Sequence, residues 1–407
     1  MIDVRFFIAC KSTSNQTQKG AKMRFYTLLL TFFNACFLHA NTFAKAFAPK
    51  AFARFFAKSF VAVVCVWFGG FALQAQTPRE LIEEAKDAGL IPMPQGKDLE
   101  DYQRLNIEKQ GIIKNYSPKM TPTQVELGKK LFFEPRLSRS GNISCASCHN
   151  LGLGGAEILP AAIGHKWQSN PQHLNSPSVF NTLFNRVHFW DGRVKDLAHQ
   201  AQQPLKNPVE MANTERDIIA TIQSIPAYVK EFQAAYGNNV VIDFKLIADT
   251  IALFEMTLNT PSRYDDFLRG NVKALSLQEQ EGLSLFIEKG CTTCHKGINL
   301  GGSMQPFEVK KPYEFAHIGG FRGNKDGEVK VPTLRNILHT APYYHNGQYW
   351  EIKDAIKTMS EIQLGKIIDD DEARKIEKFF ESLNGKYPNI IQPILPPSTL
   401  KTPKPDY

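Results

Sequence analysis

Two five-residue stretches constrain this chain more than anything else in it: Cys145-Ala-Ser-Cys148-His149 and Cys291-Thr-Thr-Cys294-His295. Each has the form C-x-x-C-H. Two cysteines three positions apart can each form a thioether to one vinyl group of a haem. The histidine that follows is then placed to reach the iron as its proximal ligand. Two other readings compete. Zinc modules set their paired C-x-x-C units ~15–20 residues apart, whereas here well over a hundred residues intervene. A thioredoxin-like redox pair needs a βαβ context, and neither motif has one. The spacing therefore points to two covalently bound haem c groups.

The 407 residues allow two or three ordinary domains, and 43% hydrophobic residues is a globular composition. The net charge of +8 is misleading. Residues 1–75 hold nine Lys/Arg and a single acid, Asp3, which leaves 39 residues of each sign from Gln76 onward. The excess belongs to a leader and gives no reason to expect nucleic-acid binding. Within it, Lys58 precedes an uncharged run from Ser59 to Ala75 that ends in Leu73-Gln74-Ala75, small enough at its end for signal-peptidase cleavage. A second candidate lies upstream, at Met23-Arg24 through Leu38-His39-Ala40. The competing reading is a retained membrane anchor, although the run is short against the ~20 apolar residues that a spanning helix needs. Either way the body is expected outside the cytoplasm. Cys10, Cys36 and Cys65 go with the leader, and the other four cysteines are all used by the two motifs.

The body reads as a tandem repeat. Thr121-Pro122-Thr-Gln124 is a capping box with proline at the first helical position, and Ser276-Leu-Gln-Glu279 is another; each opens a helix that precedes a C-x-x-C-H motif. Beyond the motifs, without gaps, Pro177 falls on Pro332, Asn181 on Asn336, Phe189 on Tyr344, Gly192 on Gly347 and Asp196-Leu197 on Glu351-Ile352. Helical periodicity recurs over 77–88, 214–224, 243–258, 351–359 and 371–383, strand-like alternation is sparse, and the tail from Pro388 to Pro405 should lie extended. The expected fold is mainly α, two cytochrome c-like haem domains in tandem with little β structure. The expected division is a leader over 1–75, an N-terminal haem domain over 76–262 and a C-terminal one over 263–407.

The register matters most where it breaks. It brings Met359 to the place where the first half has Pro204. A thioether is a usual sixth iron ligand in electron-transfer cytochromes and raises the potential, whereas proline cannot ligate iron. Met304, nine residues after His295, competes with Met359 for the role. The first half instead carries Gln200, Asn207 and Glu210 just past this point. A carboxylate beside an open haem can move a proton between the oxygens of a peroxide; an isolated glutamate otherwise solvates a helix start. His165 is a candidate reversible ligand, with His173, His188 and His199 as rivals.

From about Leu127 to the C-terminus the chain resembles the bacterial dihaem cytochrome c peroxidases. The matching stretches are Leu131-Phe-Phe-Glu-Pro-Arg-Leu-Ser138, Ser144 to Asn150, Ile163-Gly-His165, Phe189-Trp-Asp-Gly-Arg193, Asn207-Pro-Val-Glu-Met211, Thr340 to His345 and Gln363-Leu-Gly365. The resemblance implies a peroxidatic haem in the first half, held by Cys145, Cys148 and His149, with His165 as its resting distal ligand. It implies an electron-transferring haem in the second, held by Cys291, Cys294, His295 and Met359. Glu210 falls at the acid–base glutamate, Gln200 at the pocket glutamine and Trp190 at the tryptophan between the haems. Asn175, with the backbone carbonyls of Thr340 and Pro342, falls at an interdomain calcium site. The implied partners are hydrogen peroxide and a small soluble electron-donor cytochrome, the implied location is the periplasm, and a homodimer is in keeping with the family. Two alternatives stand beside this: a dihaem oxidase of a protein substrate, of the tryptophan-quinone maturation type, whose second haem takes a tyrosine ligand; and a non-catalytic dihaem electron carrier.

Overall fold

The computed structural model describes residues 76–406, and the expected leader over 1–75 lies outside them. Helix starts follow local chemistry. Thr77 and Glu80 form a reciprocal cap that opens α1 (Pro78–Asp87), and α2 (Gly96–Gln110) ends on left-handed Gly111. The box at Thr121 forms as expected: its hydroxyl accepts from the Gln124 N–H at 3.2 Å, the Gln124 amide oxygen accepts from the Thr121 N–H at 2.9 Å, and α3 (Pro122–Phe132) follows. A single helical turn, α4 (Cys145–Cys148), carries the first motif. Then come α5 (Leu197–Lys206), α6 (Glu215–Gln223), α7 (Pro226–Tyr236), α8 (Phe244–Glu255) and α9 (Arg263–Leu268). Ser276 and Glu279 make the second expected box at α10 (Leu277–Lys289); α11 (Ile352–Met359) and α12 (Asp370–Ser382) complete the set. The β structure of the described residues is one small antiparallel pair, β1 (Met304–Pro306) with β2 (Glu328–Lys330), in which Met304 faces Lys330.

Two apolar clusters fill the molecule. The first is built on α8, where every residue but Lys245 is buried; α2, α3, α5, α6 and α7 contribute to it. A helix apolar all round must be covered all round. Gly128 makes this possible on one side, because a Cβ there would run into the carbonyl oxygen of Thr250. The second cluster packs α10 against α12, with α9 and α11 beside them. Gly282 permits the same close approach, its missing Cβ leaving room for the carbonyl of Lys375.

The chain ends cross over. Leu81, Ile82 and Ala85 of α1 lie in the second cluster, although α1 precedes the expected boundary at 262/263. The extended tail returns to the first half. Arg136 donates to the carbonyl of Pro396 at 2.8 Å, Arg139 pairs with Asp406 at 2.8 Å, and Thr399 donates to the carbonyl of Ser224 at 2.9 Å.

The gap-free repeat is visible in the backbone. The paired positions Asn181 and Asn336 share left-handed φ values of 63° and 58°, Phe189 and Tyr344 have 63° and 69°, and Gly192 and Gly347 have 66° and 61°. The isolated bridge His188–Val194 repeats as Tyr343–Tyr349, and the start of α5 repeats as the start of α11. Both asparagines donate from Nδ2 to one hydroxyl, Thr260 Oγ1, each at 2.8 Å.

Candidate haem sites

Each motif opens onto its own cavity. The first, of about 370 Å³, is walled by Cys145, Cys148 and His149 together with Gln200, Pro204, Glu210 and Glu255. The second, of about 210 Å³, is walled by Cys291, Cys294, His295 and Met359. A tight turn puts both sulfurs of each pair on one wall: the backbone N–H of His149 bonds to the carbonyl of Cys145, and that of His295 to Cys291, each at 2.9 Å.

The thiols are not poised as a reactive redox pair. A metal-binding or reactive cysteine needs an electropositive surrounding that favours thiolate. Here burial pushes Cys148 up to about 12 and Cys291 up to about 11, and raises Cys145 and Cys294 as well. A neutral thioether suits such a wall. The histidines fit too. Burial lowers the pKa of both His149 and His295, so each is held as the neutral imidazole that can ligate iron. His295 donates from Nδ1 to the carbonyl of Leu300 at 3.0 Å, which leaves Nε2 as the free acceptor. The residues present therefore fit two haem groups.

The cavities differ where the repeat differs. Pro204 on α5 and Met359 on α11 occupy matching places, each in the wall of its own cavity. Met359 is the last residue of α11, where the helix widens into a π turn over Ser360–Leu364. Met304, the rival for its role, packs against Gly192 and lines neither cavity.

In the first cavity, Glu210 accepts from Asn207 Nδ2 at 2.7 Å. Burial raises its pKa, opposed by that hydrogen bond and by the charge of Arg193. A half-buried carboxyl with one fixed partner and a raised pKa suits proton exchange. His165 stands outside this wall. Its N–H donates to the carbonyl of Glu210 at 2.7 Å, and its Nδ1 is buried with no hydrogen-bond partner among the described residues. Of its rivals, His188 lines the cavity and is pushed down to about 3 by burial, while His199 is bound to Asp196 at the surface.

Asn175, Trp190 and Lys330 belong to the walls of both cavities. The Trp190 indole N–H donates to the carbonyl of Asn175 at 2.8 Å, and its ring meets that of His345 edge-on at 6.2 Å. Thr340 and Pro342 line the second cavity with Asn175. Lys330 and Glu255 were not marked by sequence reasoning. A lone lysine in a strand and a lone glutamate in an apolar helix give no signal, except that the repeat pairs Lys330 with Asn175.

The model of the family described as "Di-haem cytochrome c peroxidase" matches residues 122–273. The chain is 46% identical to the cytochrome c551 peroxidase of Pseudomonas aeruginosa over 69% of this chain and 84% of that one. To the cytochrome c551 peroxidase of Nitrosomonas europaea it is also 46% identical, over 69% and 85%. The chain belongs to the di-haem cytochrome c peroxidase family. Among solved structures, a MauG-like protein associated with microbial copper homeostasis shares the fold with a TM-score of 0.58 at 24% identity, over 66% of this chain and 91% of that one. The mainly helical architecture, with one two-stranded sheet among the described residues, agrees with that fold, and the family implies two haem groups.

Proposed function

We propose that the protein is a periplasmic peroxidase that reduces hydrogen peroxide to water with electrons from a small soluble cytochrome or a similar one-electron donor. One peroxide, two electrons and two protons give two waters. The observation that carries this reading is the pairing of Pro204 with Met359. Two cavities of one plan differ in that the wall position held by Met359 in the second is held by Pro204, which cannot ligate iron, in the first.

When bound, the haems supply the one-electron redox steps and, at the site without a second permanent ligand, the place where the O–O bond breaks. In this reading His149 and His295 are the proximal ligands and Met359 completes the second site. His165 would be a releasable iron ligand of the first site, its release coupled to reduction of the second. Glu210 takes the proton from one peroxide oxygen and returns it to the departing one, held in orientation by Asn207. Gln200 orients the oxygens from the same wall, and Trp190 relays electrons from the wall common to both cavities. Asn175, Thr340 and Pro342 would hold a calcium ion, since amide and carbonyl oxygens suit a hard cation. Their position in one cavity wall supports that assignment. Export by cleavage after Ala75 and assembly as a homodimer belong to the same proposal.

The test is optical and kinetic. Half-reduced holoprotein with calcium is expected to develop a high-spin haem spectrum that chelation suppresses. Glu210→Gln should keep that spectrum while lowering peroxide turnover about 10²–10⁴-fold. If no high-spin haem ever forms, no site opens for peroxide and the reading fails. Unchanged turnover in Glu210→Gln would remove the acid–base role.

A further inference from the structure

The repeat pairs Asn175 with Lys330 and Trp190 with His345, and the structure shows why these four matter together. The N–H of Asn175 donates to the carbonyl of His345, and the N–H of Lys330 donates to the carbonyl of Trp190, both at 2.8 Å. The two hydrogen bonds are related by the same pseudo-symmetry that relates the haem motifs. They form a four-residue joint between the cavities, and Lys330 lines both of them.

Lys330 is only 5% exposed. Among the described residues no carboxylate forms an ion pair with its amine. Burial lowers its pKa to about 8, opposed by the charge of Asp191, which itself pairs with Arg193 at 2.8 Å. A buried ammonium without an anion is costly, so the fold must provide one or receive one. No described residue provides it as an ion pair. The cofactors do: each haem carries two propionate carboxylates on the edge opposite the vinyl groups. The thioether cysteines tether the vinyl edges, and neither pair of cysteines reaches the wall that the two cavities share. The charge of Lys330 already acts on both His149 and His188 in the first site.

We infer that Lys330 is the shared counter-ion of the two haems, a positioning residue whose ammonium binds propionate carboxylates from both cavities at once. The inference rests on the two-haem reading of those cavities. A fixed positive charge beside an iron favours its reduced state, so Lys330 would hold both midpoint potentials up.

Holoprotein variants Lys330→Met, Lys330→Gln and Lys330→Arg test this by spectroelectrochemical titration, after haem content is checked at two per chain. Wild-type protein with fewer than two haems would sink the two-haem reading, separately from this one. Lys330→Met and Lys330→Gln are expected to lower the midpoint potentials of both haems, and Lys330→Arg to keep them near wild type. If neither potential moves, the ammonium is not the counter-ion. If only one moves, the shared role is wrong. If Lys330→Arg shifts as far as Lys330→Met, side-chain shape and not charge is responsible, and the inference also falls. Should Lys330→Met fail to retain haem, Lys330→Gln keeps a polar, uncharged side chain and is decisive by itself.

Discussion

Glu255 sits at the C-terminal end of α8, 5% exposed, in the wall of the first haem cavity and electrostatically coupled to Cys145. Its Oε2 has no hydrogen-bond partner among the described residues, and burial pushes its pKa from 4.5 to about 8. The folded state therefore keeps a proton that the unfolded chain has lost. Between about pH 4.5 and about pH 8 the native protein binds more protons than the unfolded one, so its stability falls as pH rises through that window. The expected result is that wild type loses stability relative to Glu255→Gln over this range, on the order of a few kcal/mol, measured by denaturant unfolding at pH 5 and pH 8. Equal slopes in the two proteins would show that the carboxyl is ionised in the fold. Glu210 differs in having a fixed partner in Asn207 and the charge of Arg193 to favour ionisation. Two glutamates in one wall thus differ in surroundings: Glu255 has nothing to favour its charge, and Glu210 has Asn207 and Arg193.

At the scale of elements, the two close helix pairs depend on glycine. In α10, Gly282 faces the backbone of α12, and a methyl group there meets the carbonyl of Lys375 and the Cβ of Phe379. Since a backbone carbonyl in a helix cannot move aside cheaply, Gly282→Ala should destabilise the second half by about 1–3 kcal/mol. A lowered thermal midpoint with haem content unchanged is the expected reading. A neutral or raised midpoint would mean that the pair slides to accommodate the methyl. Helices of this kind were legible in sequence where capping and periodicity agreed: Thr121, Thr214, Asp243 and Ser276 each cap the helix they were expected to open. The helices α2, α5, α7 and α9 were not anticipated. α5 carries Pro204 in its interior, α2 is mostly polar with a single fully buried residue, Ile107, and α9 spans six residues. Each is made by its neighbours more than by its own pattern. The site divides in the same way. Cysteines and histidines at fixed spacing announce themselves, and the Pro204–Met359 contrast emerges from the repeat. Lys330 acquires meaning only once two distant segments form one wall.

Across the whole molecule, the two halves meet at Thr260. Its hydroxyl accepts from Asn181 and from Asn336, its N–H donates to Asn181 Oδ1 at 2.8 Å, and Asn336 Oδ1 accepts from Gly385. Thr260→Val keeps the shape and removes the acceptor, leaving two buried amide donors unpaired at about 1–3 kcal/mol each. Chemical denaturation should report a loss of that size, and a loss below 1 kcal/mol would mean that the amides find other acceptors. Because both asparagines also hold the left-handed turns that precede α5 and α11, the variant should in addition broaden the optical spectra of both haems, not of one.

The crossing of the chain ends bears on how the molecule would behave if it were cut. The turn over 269–275 between α9 and α10 is largely exposed and contains Lys273, a ready point for a protease. A single nick there yields two pieces, neither of which owns all of its interior. The first piece keeps α1 and α9, which complete the second cluster, and the second keeps the tail that lies along the first. The pieces are therefore expected to travel as one particle on a sizing column and to part only in denaturant, like two hands each holding the other's wrist.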